Sequence, residues 1–182
     1  MITPTLETDR IILRPLKVSD AETIYKGWTT DPDVAKYMRW NLHESVDTTA
    51  AWLTEVEANL SSETVYDWGF VLKSPQAGTL ETGELFGAGG IYYDDEFGMF
   101  ELGYNIMKKY WGYGLTVEAS QAIIDFAVTE LNAKKFLARY VQGNDGSRRV
   151  LEKLGFVYQK DGKSESFDGK RKFDNCENIL TV

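Results

Sequence analysis

The chain has 182 residues, of which 43% are hydrophobic and 13% aromatic, and its formal net charge is −8. This length and composition exclude an intrinsically disordered chain and suffice for one hydrophobic core, so we expect a single domain over residues 1–182. The acidic balance argues against a nucleic-acid-binding protein, because phosphate binding needs a basic surface.

The cysteine content and the hydropathy pattern predict where the protein works. The chain has one cysteine, Cys176, which cannot form an internal disulfide. The sequence shows neither a signal-peptide pattern nor an apolar run of membrane-spanning length. We therefore expect a cytoplasmic protein that binds neither membranes nor nucleic acid.

The N-terminal part of the chain reads as one strand followed by helices. RIILRPL, residues 10–16, is rich in branched apolar residues and predicts the first strand. A helix follows from about position 19, and Asp31 with Pro32 is typical of the start of a short second helix. Apolar residues spaced at helical intervals predict a third helix over 48–60.

The middle of the chain has strand composition and turn residues. Three strands of an antiparallel meander are predicted there, over residues 66–74, 84–93 and 99–107. The glycine cluster at 87–90 precedes a strand-like Ile-Tyr-Tyr rather than a helix. We interpret this cluster as a site of close backbone packing, not as a phosphate loop.

The C-terminal part alternates helices and strands. A helix is predicted from Leu115 to about position 131, and a second one begins after Asn144. The remaining strands are predicted over 134–141, 156–160 and 173–181. The whole pattern is that of a mixed α/β protein of the α+β type.

Two glycines, Gly112 and Gly114, flank Tyr113 directly before the helix that starts at Leu115. Amides in the first turn of a helix have no intrahelical partner, and glycine lets the backbone approach a bulky phosphate closely. The pair therefore predicts a pyrophosphate cradle, with a simple tight turn as the alternative. The spacing fits neither the Walker A loop nor the dinucleotide fingerprint, since Val117 stands where the latter requires its last glycine.

The stretch FELGYNIMKKYWGYGLTVEA resembles the core signature of the GNAT superfamily of N-acetyltransferases, in particular the branch that includes bacterial ribosomal-protein N-terminal acetyltransferases. Three further segments agree in order and distance: RIILRPLKVSDAETIY, NDGSRRVLEKLGF and the terminal hairpin. The resemblance covers nearly the whole chain. It implies a mostly antiparallel, splayed seven-stranded sheet flanked by helices, with acetyl-CoA held between the fourth and fifth strands.

The resemblance also assigns residues to the coenzyme. The family's Q/R-x-x-G-x-G/A loop corresponds to residues 109–114, and Lys109 departs from the usual first residue but keeps a positive charge. The strand edge near residue 106 would pair with the pantetheine arm, and the asparagine at 144 would contact the same arm, cap its helix, or do both. The residues so assigned are Ile106, Met107, Lys109, Gly112, Tyr113, Gly114, Leu115, Thr116 and Asn144.

The implied chemistry is direct attack of a primary amine on the acetyl thioester, with an amide near residues 106–107 polarising the carbonyl. Many relatives place a tyrosine acid where this chain has Leu151, which cannot donate a proton. Ser147, one turn earlier, is the candidate for stabilising the departing thiolate, with a helix-start hydrogen bond as its alternative role. Glu101 is the candidate base, provided that its strand turns it toward the cleft.

Other chemistries remain open at this point. His43 lies in NLHES, which would border the acceptor site, and an imidazole titrates near neutrality. Cys176 activated by that histidine would give an acyl-enzyme, although a small residue buried in a strand is the other interpretation. No paired cysteines or histidines predict a metal site. A module that binds coenzyme A without turnover is a third class.

The acceptor is an amine-bearing molecule of unspecified identity. The segments that would select it, residues 28–65 and 160–175, are the variable ones in the family. An acidic protein attracts cations, so we favour a protein α-amino group, with a small amine, polyamine or drug as the alternative. A homodimeric assembly is left open.

Overall fold

The computed structural model describes residues 1–73 and 83–182. In these residues the strands are β1 (Leu6–Glu7), β2 (Ile11–Arg14), β3 (Val65–Leu72), β4 (Leu85–Asp94), β5 (Met99–Ile106), β6 (Lys135–Val141), β7 (Val157–Glu165) and β8 (Lys172–Thr181). The α-helices are α1 (Ala21–Ile24), α2 (Pro32–Ala35), α3 (Val46–Ala58), α4 (Leu115–Glu130) and α5 (Asp145–Lys153). A π-helical segment, Tyr25–Thr29, continues α1, and Lys108–Tyr110 forms a 3₁₀ turn.

The sheet has the strand order β1-β2-β3-β4-β5-β6-β8-β7 and is antiparallel except between β5 and β6. The predicted mixed α/β class and the mostly antiparallel sheet are confirmed. Within the described residues the sheet has eight strands rather than seven, because β1 pairs Leu6 with Leu13 of β2. A two-residue strand is too short to show an alternating pattern. The end of the second predicted strand, position 74, lies outside the described residues.

The sheet separates between β5 and β6. In the described chain only two residue pairs join these strands, Phe100 with Phe136 and Glu101 with Leu137. Beyond that point β5 continues along β4 as far as Ile106, whereas β6 continues along β8. The result is the predicted splay, with one edge of β5 left without a neighbouring strand.

Helices cover both faces of the sheet. On one face Phe126 of α4 packs edge-on against Tyr66 and Trp68 of β3, with ring centroids 5.5 and 5.4 Å apart. On the other face Gly27 of the π-helical segment lies so close to the Met107 side chain that a Cβ would collide with it. These two layers enclose the core and border the separated strands on either side.

Close packing explains the glycine cluster of β4. A Cβ on Gly90 would collide with the Tyr66 carbonyl oxygen, and one on Gly89 would lie 2.7 Å from the carbonyl oxygen of Gly103. Side chains are therefore excluded at both positions. The interpretation of this cluster as a packing feature is confirmed.

Candidate active site

The loop before α4 has the backbone that its glycines allow. Gly112 and Gly114 have φ angles of 85° and 76°, in the left-handed region that favours glycine. A Cβ built on Gly112 would meet no heavy atom of the described residues within 4 Å. The backbone there is open to a ligand.

The first turn of α4 leaves amides available for an anion. Gly114 is the N-cap, and among the described side chains none caps this helix. The amides of Leu115 and Thr116 therefore lack both an intrahelical acceptor and a capping oxygen, and the dipole of a 16-residue helix adds positive potential. These features fit the pyrophosphate of a coenzyme.

Contacts with the N-terminal hairpin fix this loop. Arg10 donates to the Tyr113 carbonyl oxygen at 3.1 Å and also binds Glu118 of α4, whose carboxylate accepts from Thr8 Oγ1 at 2.6 Å. Burial acts to raise the pKa of Glu118, but the hydrogen bonds from Thr8 and Arg10 outweigh it and hold this pKa below its ordinary value. The loop is thus preorganised by an ionised carboxylate.

Lys109 is the first residue of the predicted phosphate loop. Its Nζ lies 2.7 Å from Glu84 Oε1, and the other oxygen of Glu84 accepts from the buried Tyr110 hydroxyl. The lysine side chain is 53% exposed. The Glu84 carboxylate therefore partly neutralises the positive charge of Lys109 near the loop. The spacing of the sequence motif did not indicate this ion pair.

The separated edge of β5 presents backbone amides that do not bond to β4. The Met107 amide donates to the Phe86 carbonyl at 2.8 Å, so it belongs to the sheet and is not the donor expected for a thioester carbonyl. Because amides alternate along an antiparallel strand, the Ile106 amide points toward the gap. Its carbonyl accepts from Trp111 Nε1 at 3.1 Å. Of the two amides considered for the thioester carbonyl, only that of Ile106 is left unused by the sheet. The contacts of Ile106 and Met107 with the pantetheine arm stay predictions.

Asn105 has a buried acceptor without a protein donor. Its Oδ1 is buried and receives no hydrogen bond within the part of the chain that the structure describes. A buried amide oxygen left unpaired costs free energy of roughly 1–3 kcal/mol, so a donor on a bound molecule would stabilise it. Asn105 lies on the separated part of β5, and strand alternation puts its side chain on the same face of the sheet as Glu101.

The start of α5 brings a serine and a tyrosine together. Asn144 is the N-cap, and its Oδ1 accepts from the Ser147 amide at 3.2 Å. The capping role of Asn144 is confirmed, whereas the helix-start hydrogen bond considered for the Ser147 side chain is not formed. Ser147 Oγ instead lies 2.8 Å from the Tyr104 hydroxyl of β5. Leu151, one turn further along α5, is buried.

Glu101 lies on the opposite face of β5 from Tyr104, at the last pair before the strands separate. Its Oε2 accepts from Arg139 at 2.7 Å, and that guanidinium also contacts Asp94 at 3.2 Å. Burial raises the pKa of Glu101 above its ordinary value even though Arg139 and Arg39 act to lower it. A carboxylate with a raised pKa is a stronger base.

A second carboxylate, Asp67 of β3, is on the same face as Glu101. It accepts a hydrogen bond from Tyr92, which stands opposite Glu101 in the β4–β5 register. Burial raises the pKa of Asp67 to about 6, against the lowering effect of the Tyr92 hydrogen bond. Sequence analysis missed both Asp67 and Tyr104; for Asp67 the available signal was a single polar residue inside a strand-like apolar run.

His43 is enclosed rather than free in a loop. Its Nδ1 lies 2.7 Å from Thr49 Oγ1, and the rings of Trp40 and Trp52 contact it edge-on at centroid distances of 6.1 and 6.4 Å. Burial lowers the pKa of His43. These contacts are those of a histidine that packs in the structure, and they do not include a catalytic partner.

Cys176 is a half-buried residue of β8 that stands opposite Tyr140 of β6. The structure does not bring it to His43, whose ring nitrogen is bound to Thr49. The cysteine–histidine pair that an acyl-enzyme would need is therefore not formed. Over the described ranges, 1–73 and 83–182, no group of three or more potential metal ligands is present.

One arginine joins the two segments predicted to select the acceptor. The Arg171 guanidinium, from the β7–β8 turn, donates to the carbonyl oxygens of Met38 at 2.9 Å and Trp40 at 2.6 Å. Arg39 in turn donates to the Glu165 carbonyl oxygen at 2.9 Å. Hydrogen bonds therefore join the two segments, residues 28–65 and 160–175, into one continuous surface, which we call the rim of the predicted acceptor site. In the portion of the chain described, no helix has the length and apolarity needed to cross a bilayer.

Comparison with known proteins identifies the family. Residues 10–157 match the Acetyltransferase (GNAT) domain family. The chain is 32% identical over 167 residues to the uncharacterized N-acetyltransferase p20 of Bacillus licheniformis, covering 90% of this chain and 87% of that protein.

Solved structures share the fold. The ribosomal-protein-S5-alanine acetyltransferase of Vibrio fischeri superposes with a TM-score of 0.79 at 19% identity, covering 98% of this chain and 96% of that one. A GNAT-family acetyltransferase of Bacillus anthracis gives 0.78 at 20% identity and covers 98% of both chains. Family match, relatives and fold agree, and the chain belongs to the GNAT family of acetyltransferases, enzymes that transfer acetyl groups and use acetyl-CoA as co-substrate.

Proposed function

We propose that the protein transfers the acetyl group of acetyl-CoA directly to a primary amine, and that this amine is the N-terminal α-amino group of a protein. One observation carries the proposal. The gap between β5 and β6 lies beside the glycine loop and has a hydroxyl pair on one face of β5 and the Glu101 carboxylate on the other. Leaving group and attacking amine thus have separate sites.

The coenzyme would be held at three places along this gap. Amides of residues 112–116 would bind the pyrophosphate, with Lys109 adding a partly neutralised charge. The free edge of β5 would pair with the pantetheine arm near Ile106, and Asn144, at the start of α5, would contact the same arm. Acetyl-CoA supplies the activated thioester, and the site holds the groups that the transfer requires.

The side chains divide the proton chemistry. The Ile106 amide would donate to the carbonyl oxygen, where negative charge develops during attack. Glu101, whose pKa burial raises, would accept the proton that the amine loses, directly or through water. Ser147 would donate a hydrogen bond to the sulfur as the carbon–sulfur bond breaks.

Two observations favour a cationic protein terminus as the acceptor. The chain has a net charge of −8, and Asp67, Asp94 and Glu101 lie on the face away from the hydroxyl pair. An α-ammonium group has a pKa near 8, so a modest shift provides the neutral amine that attacks. The fold neighbour from Vibrio fischeri is named for acetylating a ribosomal-protein alanine.

An acceptor screen tests the proposal. Release of free thiol from acetyl-CoA is followed while peptides with free N-termini, the same peptides with blocked N-termini, polyamines and small amines are added in turn. We expect turnover with free N-termini and loss of turnover when the terminus is blocked. Preference for a polyamine or small amine over every peptide would overturn the protein-terminus assignment and favour the alternative class.

Direct attack also predicts that no acetyl group becomes attached to the enzyme. Cys176→Ala should keep wild-type kcat, because Cys176 stands opposite Tyr140 of β6 and the histidine that an acyl-enzyme would need is bound to Thr49. Intact-mass measurement after mixing with acetyl-CoA should show no added acetyl group. If the wild-type protein gains an acetyl group and the Cys176→Ala variant does not, the reaction proceeds in two steps through an acetyl-enzyme and direct attack is refuted.

A further inference from the structure

We propose that Tyr104 is a positioning residue that orients the Ser147 hydroxyl toward the sulfur of coenzyme A. The inference rests on the proposed function of the gap between β5 and β6. In this proposal the Tyr104 hydroxyl of β5 and the Ser147 hydroxyl of α5 together stabilise the leaving thiolate.

The contact spans the opening of the sheet. Tyr104 lies three residues beyond Glu101, the last β5 residue paired with β6. Its hydroxyl reaches Ser147 on the helix that follows β6, with an oxygen–oxygen distance of 2.8 Å. The Tyr104 hydroxyl also lies 3.4 Å from the Ser147 carbonyl oxygen, a weaker contact. This hydrogen bond therefore links β5 to α5, the helix that follows β6.

The capping of α5 leaves the serine hydroxyl available. Asn144 already accepts from the Ser147 amide at 3.2 Å, so the serine side chain has no part in capping. A serine hydroxyl has one proton and two acceptor lone pairs. If Tyr104 donates to one lone pair of Ser147, the serine proton remains free to point into the gap.

Tyr104 is suited to act as the donor. Burial raises the pKa of Tyr104 well above its ordinary value, against the lowering effect of the Ser147 hydrogen bond, so the phenol keeps its proton at physiological pH. A hydroxyl that accepts a hydrogen bond becomes a better donor in turn, because the two bonds polarise each other. The order of donation is then from Tyr104 to Ser147 and from Ser147 to sulfur.

The role requires no proton to leave either hydroxyl. As the amine nitrogen bonds to the acetyl carbon, the carbon–sulfur bond breaks and its electron pair passes to sulfur. The amine proton goes to the base on the opposite face or to water and then to the released thiol. Tyr104 and Ser147 only stabilise the negative charge on sulfur, and both keep their protons throughout.

Binding of coenzyme A itself tests this without turnover. The affinities of coenzyme A and acetyl-CoA are measured by calorimetry between pH 7 and pH 10, a range in which a thiol with a pKa near 8.5 ionises. We expect Tyr104→Phe to weaken coenzyme A binding roughly tenfold at the high-pH end, where one charge-assisted hydrogen bond is impaired. Acetyl-CoA affinity, which involves no charged sulfur, should change by less than about twofold.

Turnover gives the second readout. Ser147→Ala and Tyr104→Phe should each lower kcat about tenfold, and the double variant should be little worse than Ser147→Ala, since the two groups act in series. Tyr93→Phe is the matched control: it removes a phenol from the neighbouring strand β4, where the ring packs edge-on against Phe100. It should leave both affinities and kcat unchanged.

Several results would overturn the proposal. Equal loss of coenzyme A and acetyl-CoA affinity, a lower melting temperature with wild-type kcat, or fully additive effects in the double variant would each reduce Tyr104 to a packing residue. Absence of acetyl transfer by the wild-type protein to any amine would instead contradict the proposed function, so the two failures are distinguishable.

Discussion

Asp67 shows how a single half-buried carboxyl links this protein's stability to pH. Its pKa is raised from 3.8 to about 6 by burial, so the folded state favours the protonated form. For such a group the stabilisation is complete below pH 4 and is lost as the pH rises through 6. Ionisation of Asp67 therefore costs up to about 3 kcal/mol at neutral pH.

Asp67→Asn should accordingly stabilise the protein at pH 7.5 by about 1–3 kcal/mol and have little effect at pH 4. Asparagine keeps an oxygen for the Tyr92 hydroxyl but carries no charge. Urea unfolding at the two pH values measures the difference. Asp95→Asn, in the exposed β4–β5 turn, is the control. A stabilisation by Asp67→Asn that is equal at both pH values would refute the titration argument.

At the scale of residues, the sequence located Glu101 and Ser147 through a family resemblance but not their surroundings. The face that Glu101 occupies depends on strand register, and its ion pair with Arg139 joins residues 38 positions apart. Tyr104 was missed because its partner Ser147 lies in a different element, 43 positions away. Pairings at such separation leave no local pattern to read. The roles of these side chains stay predictions.

Among the elements, the loop before α4 combines the proposed coenzyme site with a left-handed backbone at two glycines. Gly112→Val should weaken acetyl-CoA binding by ~2 kcal/mol or more, roughly thirtyfold in Kd, because a β-branched residue disfavours a φ of 85° and would occupy the open side of the loop. Calorimetric titration with acetyl-CoA is the measurement.

A second glycine separates strain from ligand contact. Gly169, in the β7–β8 turn, has a φ of 72° and no heavy atom of the described chain within 4 Å of a Cβ. Gly169→Val should therefore lose similar stability yet bind acetyl-CoA normally. Wild-type affinity in a folded Gly112→Val protein would remove the cradle from the proposal.

Element boundaries were predictable where the hydrophobic pattern was strong. Helix α4 begins at Leu115 as expected, because a continuous apolar face follows the glycine loop. Strand β7 runs to Glu165, well past its predicted end at position 160, since its residues are polar and largely exposed on both faces. Pairing with β8, and not any alternation of its own, keeps that segment extended.

At the scale of the whole molecule, Arg171 connects the N-terminal helical region to the C-terminal hairpin. Arg171→Ala removes its bonds to the Met38 and Trp40 carbonyl oxygens, each worth about 1–3 kcal/mol for a charged donor. We expect a raised KM for the acceptor, unchanged acetyl-CoA affinity, and faster hydrogen exchange across residues 38–43.

Lys170→Ala provides the matched control. It also removes one positive charge, at the residue next to Arg171, but the Lys170 side chain is 83% exposed. Its acceptor KM should stay at the wild-type value. If Arg171→Ala leaves the acceptor KM unchanged while exchange accelerates, the rim has a structural role and does not select the acceptor.

Only two residue pairs join β5 and β6 in the described chain, so the protein's free energy of unfolding would depend on the concentration of the coenzyme. In the proposed complex a pantetheine arm along the free edge of β5 would take the place of a neighbouring strand, and its binding free energy would add to that of folding. Coenzyme at a hundred times its Kd would contribute about 2.7 kcal/mol. At high acetyl-CoA concentration the junction between β5 and β6 would therefore be stabilised, and at low concentration it would be the part of the sheet that opens most easily.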